Sequence, residues 1–132
     1  MDQKKKILLI EDDKFLLKLY SDKLNREGFE VSMAASGEEG LSKVSAEKPD
    51  LVLLDIILPQ KNGFDILSEI KLNPATKNIP VIMLTNLGQE SDIKTGFELG
   101  AADYLVKTDF SITKLPEVVR KYLAASAQRK NK

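Results

Sequence analysis

Five short apolar runs recur along this chain, each followed by a stretch whose apolar residues fall at helical spacing, and no other feature limits the fold as strongly. The runs are Ile7-Leu8-Leu9-Ile10, the strand-like alternating segment Phe29 to Ala34, Leu51-Val52-Leu53-Leu54, Ile79 to Leu84 and Tyr104-Leu105-Val106. The first and third are continuously apolar, the mark of strands covered on both faces. Between them Phe15, Leu16, Leu19, Tyr20 and Leu24 form a helical face that ends at Gly28. Ser36 with Glu39 reads as a capping box opening a helix through Val44, with Pro49 closing the region. The turn pair Asn62-Gly63 leads into a helix with Phe64, Ile66, Leu67 and Ile70, broken by Pro74. Ile93 and Phe97 mark a weaker helix, interrupted by Gly96 and closed by Gly100. Leu115, Val118, Val119, Tyr122 and Leu123 make the clearest stripe, with Pro116 in the first turn, where its missing N–H costs little.

Strict strand–helix alternation predicts an α/β domain: a doubly wound, five-stranded parallel sheet with five helices. The expected strand order is 2-1-3-4-5, the flavodoxin-like arrangement, in which ligands bind where the order reverses, here between strands one and three. A chain of 132 residues suits one such domain, taken as residues 1–125, with a polar, disordered tail over 126–132. Lys+Arg and Asp+Glu are both 20, so a general nucleic-acid binder, which needs a basic excess, is not expected. The absence of Cys and His removes thiol chemistry, Ser-His-Asp triads and histidine zinc sites. Met1 to Lys6 is polar and basic, so neither a signal peptide nor a membrane span is read, and a cytoplasmic location is the default.

Chemistry gathers at the carboxyl ends of the strands. Strand one ends in Glu11-Asp12-Asp13, strand three in Asp55, strand four in Thr85 and strand five in Lys107. Under the expected order, acids from two adjacent strands meet beside a hydroxyl and an ammonium. Clustered carboxylates raise one another's pKa unless a cation intervenes, and Mg²⁺ takes such oxygen ligands while keeping positions for water and phosphate. Phosphoryl transfer needs little beyond a placed nucleophile, a metal and fixed positive charge. Asp55 fits the nucleophile, Lys107 a point charge on a phosphoryl oxygen, and Thr85 a hydroxyl donor. Taken singly, each has a bland explanation: Asp13 a helix cap, Thr85 a turn residue, Lys107 a solvated lysine. One shared site explains four successive strand ends more economically.

These residues resemble the receiver domain of bacterial two-component response regulators over residues 5 to 124. The matching pieces are Ile7 to Asp13, Pro49 to Pro59 with Gly63, Pro80 to Thr85, and Gly100 to Lys107. The resemblance implies that Asp55 is the phospho-acceptor, that Asp12 ligates Mg²⁺ directly and Glu11 through water, and that the carbonyl of Ile57 completes the protein's share of the shell. It implies Thr85 and Tyr104 as a switch pair: the Thr85 hydroxyl is drawn to the phosphoryl group and Tyr104 turns inward behind it. The surface of the fourth helix, fifth strand and fifth helix then changes for partners. Those partners would be a sensor histidine kinase or phosphotransfer protein as donor and a downstream effector or output domain. Small acyl phosphates are alternative donors, and a phosphorylation-linked homodimer is one form that members take. Such a chain accepts and slowly hydrolyses its own phosphoryl group and is not a turnover enzyme.

Two departures stand out. The family places Pro after the lysine, with a cis bond, whereas Thr108 follows Lys107; a cis bond to a non-proline residue costs about 3 kcal/mol, so that bond is either trans or strained. Ile57 and Asn86 flank the water path to Asp55, and the apolar Ile57 predicts slow self-dephosphorylation. The leading alternative is a receiver-like interaction module that works without phosphorylation. A haloacid-dehalogenase-like phosphatase would want an acid two residues after the nucleophile, where Ile57 stands. A flavin or dinucleotide binder would want a phosphate-cradling loop where Glu11-Asp12-Asp13 stands.

Overall fold

The computed structural model describes residues 4–86, 90–108 and 111–130. Strands β1 (Lys6–Ile10), β2 (Glu30–Ala34), β3 (Leu51–Asp55), β4 (Val81–Thr85) and β5 (Asp103–Val106) alternate with helices α1 (Lys14–Arg26), α2 (Gly37–Glu47), α3 (Gly63–Leu72), α4 (Glu90–Glu98) and α5 (Leu115–Lys130). A 3₁₀ turn at Ile112–Lys114 leads into α5. The strands form one sheet in the order β2-β1-β3-β4-β5, and every pairing is parallel. The expected fold and strand order are therefore those observed.

Alternation along the strands explains why both faces are covered. Leu8, Ile10, Val52, Leu54, Val81 and Met83 pack with Val44 of α2 and Ile66, Leu67 and Ile70 of α3. Ile7, Leu9, Leu51, Leu53, Ile82 and Leu84 pack on the other face with Leu17, Tyr20 and Leu24 of α1 and Leu115 and Val119 of α5. The central strands β1, β3 and β4 have no polar face, so a slip of one residue would exchange the two cores rather than expose them; the helices, which fit one set of side chains each, fix the register.

Helix starts follow the sequence signals. Asp13 caps α1, its carboxylate accepting from the N–H groups of Phe15 and Leu16 at 2.9 and 3.2 Å. Ser36 accepts from the Glu39 N–H, and Glu39 reaches back to the N–H of Ala35. Asn62, read as half of a turn, caps α3 instead, and Gly63 is the first helical residue. Gly28 and Gly100 close α1 and α4 with φ of 96° and 105°, a conformation that favours glycine. Helix α5 runs on to Lys130, beyond the Ser126 at which the sequence reading begins a disordered tail. Ala124 and Ala125 are strong helix formers, and Ser126 is buried, so the helix has reason to continue. No helix among the described residues is long and apolar enough to cross a membrane.

Candidate functional site

Parallel pairing of β1 with β3, at Ile10 opposite Leu54, brings Glu11 and Asp12 beside Asp55. Carboxylate oxygens of Glu11, Asp12 and Asp55 lie within 4.8 Å of one another. Pairing of β4 with β5 carries Lys107 to the same end, where its N–H donates to the carbonyl of Thr85 at 2.6 Å. The Lys107 ammonium donates to Glu11 Oε1 and, at 3.1 Å, to Asp55 Oδ2. Its side chain is 6 % exposed, far from the solvated lysine that its type alone would imply. The Lys107–Thr108 bond is trans, as the described residues contain no cis peptide. Together these groups line a pocket of about 360 Å³ with Leu16, Ile57 and Asn86.

The electrostatics are those of acids crowded around one cation. Burial raises the pKa of Glu11, and nearby Asp55 raises it further, while Lys107 opposes both. Asp12 is raised too, through partial desolvation and then through Glu11. Burial alone would lower Lys107, but its bonds to Glu11 and Asp55 outweigh that and hold it above the ordinary lysine value. The pocket thus keeps one ammonium against three carboxylates, and the unbalanced charge calls for a hard cation. Three clustered oxygen donors open to solvent at Asp12 suit Mg²⁺, which binds through few carboxylates and retains water; the acidic cluster fits a metal ion of that kind.

The pocket floor is set by the loop after β3. The Gly63 N–H donates to the Ile56 carbonyl at 2.6 Å, and a Cβ at Gly63 would fall 2.2 Å from the Asp55 carbonyl oxygen. The loop therefore folds back onto the residue that carries the central carboxylate, and the Asp55 Oδ1 accepts from the Ile57 N–H at 3.4 Å. Thr85 is fully buried at the end of β4 and hydrogen-bonds Tyr104, which lies inward and is 8 % exposed.

Of the residues singled out in the sequence, Glu11, Asp12, Asp55, Ile57 and Lys107 meet at the pocket, Asp13 is a cap, and Thr85 and Tyr104 form a pair behind it. Sequence reasoning missed two neighbours. Tyr20, counted as core because it sits on the α1 stripe, lines a groove with Lys107, Thr108 and Ile112. Asp103 was read only as part of a matching segment, yet it accepts from the Tyr104 N–H and the Tyr122 hydroxyl, each at 2.7 Å. Helical spacing gives no warning that a tyrosine tip reaches a polar groove.

This fold, with an acidic cluster and a lysine at the switch point of the sheet, defines an α/β module with a charged site at the carboxyl ends of its strands, and the comparisons give the family. The model of the response regulator receiver domain matches residues 7–120, and the chain belongs to that family. It is 47% identical over 102 residues to the transcriptional regulatory protein CpxR of Klebsiella pneumoniae, covering 77% of this chain and 42% of that one. A CheY-like response regulator receiver domain protein from Methanospirillum hungatei superposes with a TM-score of 0.88 at 30% identity, over 96% of this chain and 99% of that one. The Mn²⁺-bound form of response regulator Rcp1 superposes with a TM-score of 0.80 at 31% identity, over 90% of this chain and 94% of that one. The chain spans about half the length of the curated relatives it matches.

Proposed function

We propose that this domain accepts a phosphoryl group on Asp55, with Mg²⁺, and relays the event to a partner through Thr85 and Tyr104. One observation carries the reading: carboxylates of Glu11, Asp12 and Asp55 share a pocket in which Lys107 bonds to Asp55 itself. Membership of the receiver family supports it, as does the metal-bound neighbour. In this reading Asp12, Asp55 and the Ile57 carbonyl would hold the metal, with Glu11 acting through water. The bound ion would offset charge on the phosphoryl oxygens and on the acids.

The chain's own residues do the rest. A carboxylate oxygen of Asp55 attacks phosphorus in line, the bond from phosphorus to the donor breaks, and the donor leaves with the electron pair. The donor is a phosphohistidine on a sensor kinase or phosphotransfer protein, or a small acyl phosphate. The Lys107 ammonium, already held on Asp55, meets one phosphoryl oxygen, and the Thr85 hydroxyl meets another. Tyr104 transmits the change to the face made by α4, β5 and α5, where an effector or output domain would bind. Water later cleaves the acyl phosphate slowly, which makes the domain a timed switch and not a turnover enzyme.

The test is intact mass after incubation with acetyl phosphate and Mg²⁺. Wild type should gain one phosphoryl group and Asp55→Asn none. A wild type that stays unmodified, or an Asp55→Asn variant labelled equally, would overturn the reading. The alternative, an interaction module indifferent to phosphorylation, has no use for a lysine buried against two acids.

A further inference from the structure

Helix α4 carries a glycine, Gly96, in its last turn, although nothing in the backbone requires one. Unlike Gly28 and Gly100, Gly96 has no positive φ, so any residue could adopt its conformation. Glycine lowers helix propensity, and α4 is only nine residues long. What the glycine provides is room. A Cβ built on Gly96 would lie 3.3 Å from Cδ2 of Tyr104, and 3.7 Å from both Met83 Cγ and Phe64 Cε1. The Tyr104 ring therefore lies flush against the α4 backbone, with β4 and α3 behind it.

Its hydroxyl is fixed at the same time by Thr85. Burial raises the Tyr104 phenol pKa, whereas the hydrogen bond with Thr85 lowers it. A hydroxyl has one proton to donate. Thr85 can give it to Tyr104 or to a phosphoryl oxygen on Asp55, but not to both. Whatever fixes the ring therefore bears on the Thr85 hydroxyl as well.

The geometry points to Gly96 as a positioning residue: its missing side chain forms the wall of the slot that seats Tyr104 against α4 with its hydroxyl on Thr85. This rests on the switch role given to that pair above. A contact of 3.3 Å is tighter than nine in ten real Cβ contacts, so a side chain here requires the ring to give by a few tenths of an ångström. Met83 is fully buried and pairs with Tyr104 across β4 and β5, so the ring has least room to give on that side.

Fluorine NMR on protein grown with 3-fluorotyrosine tests this directly. The chain has three tyrosines, Tyr20, Tyr104 and Tyr122, so single Tyr→Phe variants assign every signal. Gly96→Ala should move the Tyr104 resonance toward its solvent-exposed value, Gly96→Val should move it further, and the Tyr20 and Tyr122 signals should stay in place. The labelling rate with acetyl phosphate and Mg²⁺ should change by about threefold or more in Gly96→Ala, and by much less when Tyr104→Ala is already present. Should Gly96→Val fail to fold, the alanine variant still decides the matter. A Tyr104 signal that does not move in Gly96→Ala would overturn the proposal, and so would an equal rate change in the Tyr104→Ala background. A wild type that takes no label would sink the phospho-acceptor reading instead, while the ring signal still decides the place of Gly96.

Discussion

Ile57 stands two residues beyond Asp55, is 58 % exposed and lines the pocket. In the proposed reading, a water attacking a phosphoryl group on Asp55 would pass this side chain, which offers it no hydrogen bond. Ile57→Asn should shorten the lifetime of the adduct by about tenfold or more, since a placed polar group can orient the water and share its proton. Intact mass followed over time after removal of acetyl phosphate reads this, and a wild-type half-life of seconds, unchanged in the variant, would reject it. Gly63 offers a steric prediction at the same scale. Its added Cβ would meet the Asp55 carbonyl oxygen at 2.2 Å and Ile56 Cα at 2.7 Å. Both are backbone atoms and cannot swing aside, so Gly63→Ala must distort the loop under Asp55. The expected cost is about 3 kcal/mol in chemical denaturation, together with slower labelling by acetyl phosphate. A Gly63→Ala variant with wild-type stability would show that the loop is not pinned there.

At the scale of elements, the half-buried carboxylate of Asp103 ties β5 to α5. Asp103 faces α5, while Tyr104 faces the opposite core, and Asp103 accepts from the Tyr122 hydroxyl at 2.7 Å. Burial and that bond push the Tyr122 pKa up to about 12. A phenol raised in the folded state contributes stability that is fully present below its unfolded value, about 10, and is lost as pH rises through its folded value. Stability should therefore fall between about pH 10 and 12. Tyr122→Phe should flatten that limb and cost about 1 kcal/mol at neutral pH, as urea unfolding across the range would show. Tyr20 and Tyr104 are raised by burial as well, so the limb should shrink rather than vanish. An alkaline limb identical in Tyr122→Phe would refute the assignment. Most elements were legible because caps and apolar spacing are local signals: Ser36 with Glu39 and the stripe from Leu115 to Leu123 appear as read. The ties between elements were not. Asp103 to Tyr122, or Arg120 of α5 to Glu27 past the end of α1, joins residues whose proximity depends on packing.

For the molecule as a whole, the site was readable to the extent that topology fixes it. Once the strands take the expected order β2-β1-β3-β4-β5, the ends of β1 and β3 are neighbours and the acids there meet. The burial of Lys107 was not readable, because a lysine after a strand is usually solvated and only the closed pocket removes it from water. The same closure makes the acids a source of instability for the metal-free chain. Glu11 and Asp12 both have folded pKa values above their ordinary 4.5 and 3.8. The folded protein then holds protons more tightly than the unfolded chain, and these two groups make stability fall as pH rises from about 4 through their raised values. A divalent cation in the cluster relieves that repulsion. At neutral pH, Mg²⁺ at a hundredfold excess over its dissociation constant should add about 2.7 kcal/mol. The gain should fade below pH 4, because protonated carboxylates make poor ligands. Melting curves at matched ionic strength in MgCl₂ and NaCl isolate the effect, and Asp12→Asn should remove most of it while raising metal-free stability near neutral pH. An Asp12→Asn protein that gains as much from Mg²⁺ as wild type would place the ion elsewhere and separate the acidic cluster from the chemistry proposed for Asp55.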